Sequence, residues 1–335
     1  IRGMGQVVTV FCGLIVLCGV FNVVNPNFLG SRNVANLLRQ FAPFLIVGIG
    51  QSFVLITGNI DLSIGSVLGM SCMTSATLMC NGWHPLAACI VTMALCIATG
   101  LINGVLVGIV QMPSFIVTLA TMLIYRSLSQ YACQHIPAEL IGNGSSVFRM
   151  SNALDSYRAF YAFGNGKVAG IMPIVGLIMV LMVVLFVYIC TSTKFGKKIY
   201  AVGSNARAAH LAGINVSAMR TLVFVIAGAL VGLGAFLWIA MNASADPATT
   251  GKSYEMYAIA AVVLGGIAMS GGKGRILGVL FGAMSYTVID KIIIALKMDS
   301  LINDTIKGVI LIVVILIQVA GPQLKARFGK SKVVK

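Results

Sequence analysis

The chain has 335 residues, of which 59% are hydrophobic and only 9% are Asp, Glu, Lys or Arg. Soluble domains carry about a quarter charged residues, so this composition excludes a disordered chain and a soluble enzyme and points to a polytopic membrane protein. Twenty-three Lys and Arg against eight Asp and Glu leave a formal charge of +15, which here reads as basic loops held near anionic lipid rather than as a nucleic-acid surface.

A membrane helix needs roughly 20 apolar residues. Ten stretches approach that requirement, at about 4–24, 38–57, 62–80, 86–108, 113–133, 171–191, 219–241, 254–270, 275–296 and 302–320. The first apolar stretch, Gly3 to Val24, exceeds a signal-peptide core and lacks a cleavage site, so it reads as a retained span. Because the chain begins at Ile1 rather than Met, a few residues are expected to precede it. The longest uncharged run, 64 residues between Asp61 and Arg126, is long enough for three helices. Asn81-Gly82-Trp83-His84-Pro85 and Gln111-Met112-Pro113 break it, as Gly and Pro do at turns. The eight cysteines form no C-x-x-C pair and fall mostly inside apolar stretches, where they read as small packing residues.

Orientation comes from the basic loops. Segment 192–220 carries Lys194, Lys197, Lys198, Arg207 and Arg220 with no acid, and the tail after Gly321 carries Lys325, Arg327, Lys330, Lys332 and Lys335 with none. Lys273, Arg275 and Arg2 fall on the same side in a ten-span arrangement, while Arg32 and Lys252 fall outside the bias. The positive-inside rule makes that side cytoplasmic. The expectation is one all-α transmembrane domain over 1–335 with both termini cytoplasmic. It includes an extracytoplasmic loop at 134–170, a cytoplasmic loop at 192–218 and a basic tail at 321–335. Glycines four apart (Gly100, Gly104 and Gly108; Gly274, Gly278 and Gly282; Gly228 and Gly232) make stripes that let helices approach closely. A sliding interface is the second reading of these stripes.

Three motifs carry chemistry. Gly58 to Ser66, GNIDLSIGS, places Asp61 between two apolar runs. A carboxylate at the bilayer centre costs about 3 kcal/mol or more, so Asp61 belongs at the start of the next helix or in a water-lined break. Lys194 to Ile214 predicts a short helix over 206–212, capped by Ser204 or Asn205 and ended by Gly213, which is either a plain loop or a docking element. In Tyr254 to Gly266, Glu255 opens an apolar span where its charge complements the helix dipole. The glycines that follow do not make a nucleotide-binding loop. His84, His135 and His210 lie too far apart for a metal site, and no hydrolytic motif is present.

With a fourth segment, Pro113 to Leu119, these motifs resemble the membrane permeases of bacterial sugar ABC importers of the ribose, galactose, arabinose and xylose type. The shared patterns are G-x-D-L-S-x-G-S at Gly58–Ser66, F-G-x-x-I-x-A-x-G-x-N-x-x-A-A-x-x-x-G-I at Phe195–Ile214, Y-E-x-x-A-I-A-A-x-V-x-G-G at Tyr254–Gly266, and P-x-F-I-x-T-L. The resemblance runs from about residue 25 to 318.

It implies a transport subunit, not an enzyme, in a bacterial inner membrane. Such a subunit pairs with a second permease subunit, identical or related, sits in membrane lipid, and is served by an extracytoplasmic sugar-binding protein. It holds no cofactor itself, because ATP and Mg are bound by a separate cytoplasmic ATPase. By motif match that ATPase docks at Gly203, Asn205, Arg207, Ala208, Ala209, Leu211 and Gly213. Candidate path residues are Asn59, Asp61, Ser63, Asn103, Phe115, Thr118, Asn242 and Glu255, although for each polar one helix–helix hydrogen bonding is an equally good account.

The chain departs from the family pattern at Ala206-Arg207-Ala208, at Asn59, at Tyr257, where Asp is frequent, and at Asp290 and Lys291, which are expected to pair locally at a helix end. Within the class, nucleosides, polyols, a furanosyl signal molecule or branched-chain amino acids are alternative solutes. Outside it, an ion-coupled carrier would use Asp61, Glu255 or Asp290, and an assembly protein comes third.

Overall fold

The computed structural model describes residues 4–135, 148–149, 155–168, 170, 172–296, 305–309, 312–313 and 316. In chain order the helices are α1 (Met4–Val24), α2 (Ser31–Ile56), α3 (Ile64–Cys80), α4 (Pro85–Gly108), α5 (Ser114–Gln134), α6 (Asp155–Asn165), α7 (Ile174–Ser192), α8 (Lys194–Ser204), α9 (Ala206–Leu211), α10 (Val216–Asn242), α11 (Tyr254–Leu264) and α12 (Ile276–Ala295). Four two-residue strands form two antiparallel pairs. Phe148–Arg149 (β1) pairs with Ser244–Ala245 (β4), and Lys167–Val168 (β2) pairs with Met172–Pro173 (β3). The architecture is all-α, and α2, α4, α7, α10 and α12 are each long and apolar enough to cross a membrane. Helices α3 and α11 and most of α1 are apolar but shorter.

The core forms around α2 and α10. Every residue of α2 from Phe41 to Ile56 is buried, which fits a sequence apolar but for Gln51 and Ser52 and its neighbours α7, α10, α11 and α12. Helix α10 packs most extensively on α4, and the glycine stripes explain how. A Cβ on Gly104 would lie 2.7 Å from the Thr221 carbonyl oxygen, and Gly228 lies against the backbone of Cys96 and Gly100. Backbone meets backbone at that seam, with Thr221 Oγ1 donating to the Gly104 carbonyl at 2.9 Å. Gly278 and Gly282 play the same part between α12 and α11, whereas Gly274 precedes α12 and lies in a turn at φ +123°.

Most of the stretches expected to be helical are so within a few residues. Helix α2 begins earlier, at Ser31, because Arg39 Nη1 finds Asn165 Oδ1 at 2.7 Å and the polar first turns need no lipid. The stretch expected at 254–270 ends at Leu264, since Gly265–Gly266 and four positive-φ glycines (Gly266, Gly271, Gly272, Gly274) turn the chain. Within 192–218 the chain is ordered as two helices, α8 and α9, rather than one helix in a loop. Loop 134–170 contains α6, whose Phe160 ring sits 5.3 Å from that of Phe236. The stretch expected at 302–320 is helical at 305–309, 312–313 and 316. The rest of it, residues 136–147 of the loop and the tail 321–335 lie outside the described residues.

Candidate functional site

The polar motifs assemble at three places. The first is the break between α2 and α3. Asp61, 4% exposed, accepts from the Ser63 backbone N–H at 2.8 Å and from Ser63 Oγ at 2.6 Å. It thereby fixes the turn that launches α3. Asn103 of α4 donates from Nδ2 to Ser63 Oγ at 2.9 Å, while its own Oδ1 is buried with no partner among the described residues. Ser114 Oγ accepts from the Ile60 N–H at 3.1 Å, and Thr118 Oγ1 donates to the Ser114 and Ile60 carbonyls. Asn59 turns back on Thr57. Five candidate path residues thus meet around one loop, lending hydrogen bonds to backbone that no helix satisfies. The cavity bordered by Asp61, Ser63, Thr99 and Asn103 is only about 10 Å³, the size of a single water. Phe115 is an exposed residue on the outer face of α5.

The second place is the entry to α11. An 11-residue helix is about 16 Å long, half of the roughly 30 Å hydrocarbon layer. The segment before it, 246–253, is not helical, yet Pro247, Thr250 and Gly251 are buried. Its backbone needs partners, and Arg126 of α5 supplies them. Nη1 donates to the Thr250 carbonyl at 2.8 Å and to the Pro247 carbonyl at 3.3 Å. On the other side the segment rests on Gly65 and Gly69 of α3, where a Cβ would strike the Gly251 and Thr250 carbonyl oxygens. Glu255, in the first turn of α11, lies against Gly65 and feels the Arg126 charge. Its Oε2 is buried without a hydrogen-bond partner among the described residues.

Above this entry is a cavity of about 310 Å³. Its walls are aromatic: Phe44, Trp238, Tyr254, Tyr257 and Tyr286, with Tyr254 edge-on to Phe44 at 5.6 Å and to Trp238 at 5.9 Å. Gln40, Asn242, Thr287, Asp290, Lys291 and Lys307 supply its polar groups. Asp290 does not pair with Lys291 as expected. Its Oδ1 is 2.6 Å from Lys307 Nζ, because the 305–309 helical segment brings that ammonium alongside α12.

The third place is the end of the molecule that carries α8 and α9. Thr193 caps α8, accepting from the Gly196 N–H at 3.1 Å. Asn205, not Ser204, caps α9 by accepting from the Ala208 N–H at 3.0 Å. Gly213, at φ +79°, turns the chain away after it. Arg207, Ala208 and Leu211 face outward, and Leu211 is 82% exposed. Ala209 is buried, and Gly203 packs against the Ile56 carbonyl and Gly272. Two hydrogen bonds tie this end to the turn after α11. The Gly272 N–H donates to the Ile56 carbonyl at 2.8 Å, and Tyr200 Oη donates to the Gly274 carbonyl at 2.9 Å. Burial pushes the Tyr200 phenol well above the ordinary tyrosine range, so that donor persists at physiological pH.

Sequence reasoning brought out neither Arg126, Lys307 nor the aromatic walls. The signal was present for the two cations, Arg126 as the lone charge of its expected span and Lys307 three residues after Asp304 in its own, and an intramembrane charge is a site by default. The aromatic residues are spread from position 44 to 286 and give no local signal.

Residues 33–317 match the family described as branched-chain amino acid transport system / permease component. The ribose import permease of Bacillus subtilis (strain 168) is 35% identical over 315 residues, covering 94% of this chain and 93% of that protein. The ribose import permease of Escherichia coli (strain K12) is 33% identical over 304 residues, 91% of each chain. The autoinducer 2 import system permease LsrC of Escherichia coli O9:H4 (strain HS) is 28% identical over 308 residues, 92% of this chain and 85% of that protein. No solved structure gives a significant match.

Proposed function

The chain belongs to the permease-component family of ABC importers, the family its motifs resemble, and from that premise we propose that it forms the membrane path for a neutral monosaccharide. In this reading the end bearing α8 and α9 is cytoplasmic and a separate ATPase docks on α9. Two permease subunits pair in a bacterial inner membrane, and a solute-binding protein delivers the sugar at the opposite end. ATP and Mg belong to the partner.

The observation that carries the reading is the build of α9. A six-residue helix is held by a side-chain cap at Asn205 and a glycine stop, yet it presents Leu211 and Arg207 to the outside. An exposed leucine on so ordered a projection suits a partner surface. The solute is placed at the 310 Å³ cavity, a volume within the ordinary range for small-ligand sites. Asn242 lies there, while Asn59, Asp61, Ser63, Asn103 and Thr118 serve as the polar support of the α2–α3 break.

The test is purification from native membrane with any bound ATPase, followed by uptake of labelled D-ribose into proteoliposomes. Uptake that requires internal ATP and a binding protein supports the proposal. Uptake by the chain alone under an ion gradient would overturn it. A second reading, a zwitterionic amino acid, is favoured only by the Asp290–Lys307 pair at the cavity. Labelled L-leucine in the same assay separates the two.

A further inference from the structure

Two cavities meet at three residues. The cavity of about 310 Å³ and a second of about 90 Å³ are both bordered by Tyr257, Tyr286 and Lys307. The smaller one continues along α11 past Met256 to Ala260, toward the turn that contacts α8. What stands between them is a side-chain partition. Lys307, 7% exposed, places Nζ 4.3 Å from the Tyr257 ring centroid and 5.6 Å from that of Tyr286. The two rings lie 5.5 Å apart, and the ammonium is tethered to Asp290.

A buried ammonium is costly unless paired, and here a carboxylate and two ring faces hold it in one position. Its four-carbon stem is flexible, so a swing of this one side chain joins the two cavities without moving a helix. A neutral ring bearing hydroxyls suits the larger cavity. Its C–H faces lie on aromatic walls and its hydroxyls can exchange with the Lys–Asp hydrogen bonds. A charged solute would instead take one partner of the pair and leave the other buried and uncompensated.

We propose that Tyr257, Tyr286 and Lys307 form a gate between a monosaccharide-holding cavity and the onward path, with the Lys307–Asp290 pair as its latch. This rests on the permease reading above.

The test uses the assembled importer in sealed proteoliposomes. Ala260→Cys places a thiol in the smaller cavity, and its reaction with a small water-soluble methanethiosulfonate added to the larger-cavity side is timed as the excess over the same chain without it, whose own free cysteines include the exposed Cys12. Lys307→Met and Asp290→Asn are each expected to speed labelling by roughly tenfold. Lys167→Ala, exposed on β2 and in the lining of neither cavity, is expected to leave it unchanged. Millimolar D-ribose is expected to slow labelling in the latch variants. Variants that do not elute as a single peak are replaced by Lys307→Arg, which keeps the pair and is expected to label slowly, and by Tyr257→Ala, which removes the shelf and is expected to label fast.

As a binding readout, Trp83→Phe leaves Trp238 as the sole tryptophan of the permease chain, and its change in fluorescence on adding D-ribose to the isolated permease is expected to saturate. Labelling rates indifferent to both latch variants and to Tyr257→Ala would overturn the gate, and so would a Trp238 signal that answers L-leucine and not D-ribose. Failure of the permease reading is separately visible, as absence of ATP-dependent uptake by the wild-type importer.

Discussion

Arg126 in the middle of α5 donates to the carbonyl oxygen of Thr250 at 2.8 Å, joining that helix to the non-helical segment that precedes α11. A guanidinium in place of water lets irregular backbone lie buried inside the molecule. Arg126→Met keeps the volume but orphans the Thr250 and Pro247 carbonyls, each worth about 1–3 kcal/mol. The expected outcome is a clear fall in melting temperature of the detergent-solubilised chain. An unchanged melting temperature would show that the segment has other support.

Gly65 has no room for a methyl group, because Glu255 and the Gly251 carbonyl occupy that space. Gly65→Ala is expected to destabilise by about 1–3 kcal/mol and lower the yield of monodisperse protein. Gly82→Ala is a control for a glycine at positive φ with open space around it, expected to lose about 1 kcal/mol. Gel-filtration yield after mild heating ranks the two.

Leu211→Asp and Asn205→Ala separate surface from scaffold at α9. The first removes an exposed apolar contact and is expected to abolish ATPase co-purification while the permease melts normally. The second removes the cap hydrogen bond, frays the helix by about 1 kcal/mol, and is expected to weaken co-purification only in part. Full binding by Leu211→Asp would place the docking surface elsewhere.

Asp61 is occupied in holding the Ser63 N–H and hydroxyl at the start of α3. Uptake by the reconstituted importer is therefore expected to follow ATP and ignore a protonophore. Asp61→Asn, which keeps an acceptor for the Ser63 N–H, is expected to retain measurable uptake with the same indifference to a pH gradient. Loss of a pH dependence present in the wild type would instead make Asp61 a coupling group.

The all-α architecture and the positions of the long apolar helices α2, α4, α7, α10 and α12 were legible because apolar runs of span length are a composition signal. The cap and stop of α9 were legible because Asn205 and Gly213 are local chemistry. The half-length of α11 was not, since its apolar sequence runs on past Leu264 and only the conformations of Gly266 to Gly274 end it. The gate was hidden for another reason. Tyr257 and Asp290 each stood out as departures from the family pattern, but nothing in the sequence says that both touch Lys307. Contacts between distant positions in the chain become visible only when the helices are packed.

The seam between α4 and α10 also limits how the molecule can move. Where Gly100, Gly104 and Gly228 bring two backbones into contact, there is no layer of side chains to re-rotamer and hence no cheap way to shear. These two helices are expected to move as one unit, a stator. Rearrangement during a working cycle is expected instead where elements meet through side chains, as the 305–309 segment meets α11 and α12 through Lys307, Tyr257 and Asp290.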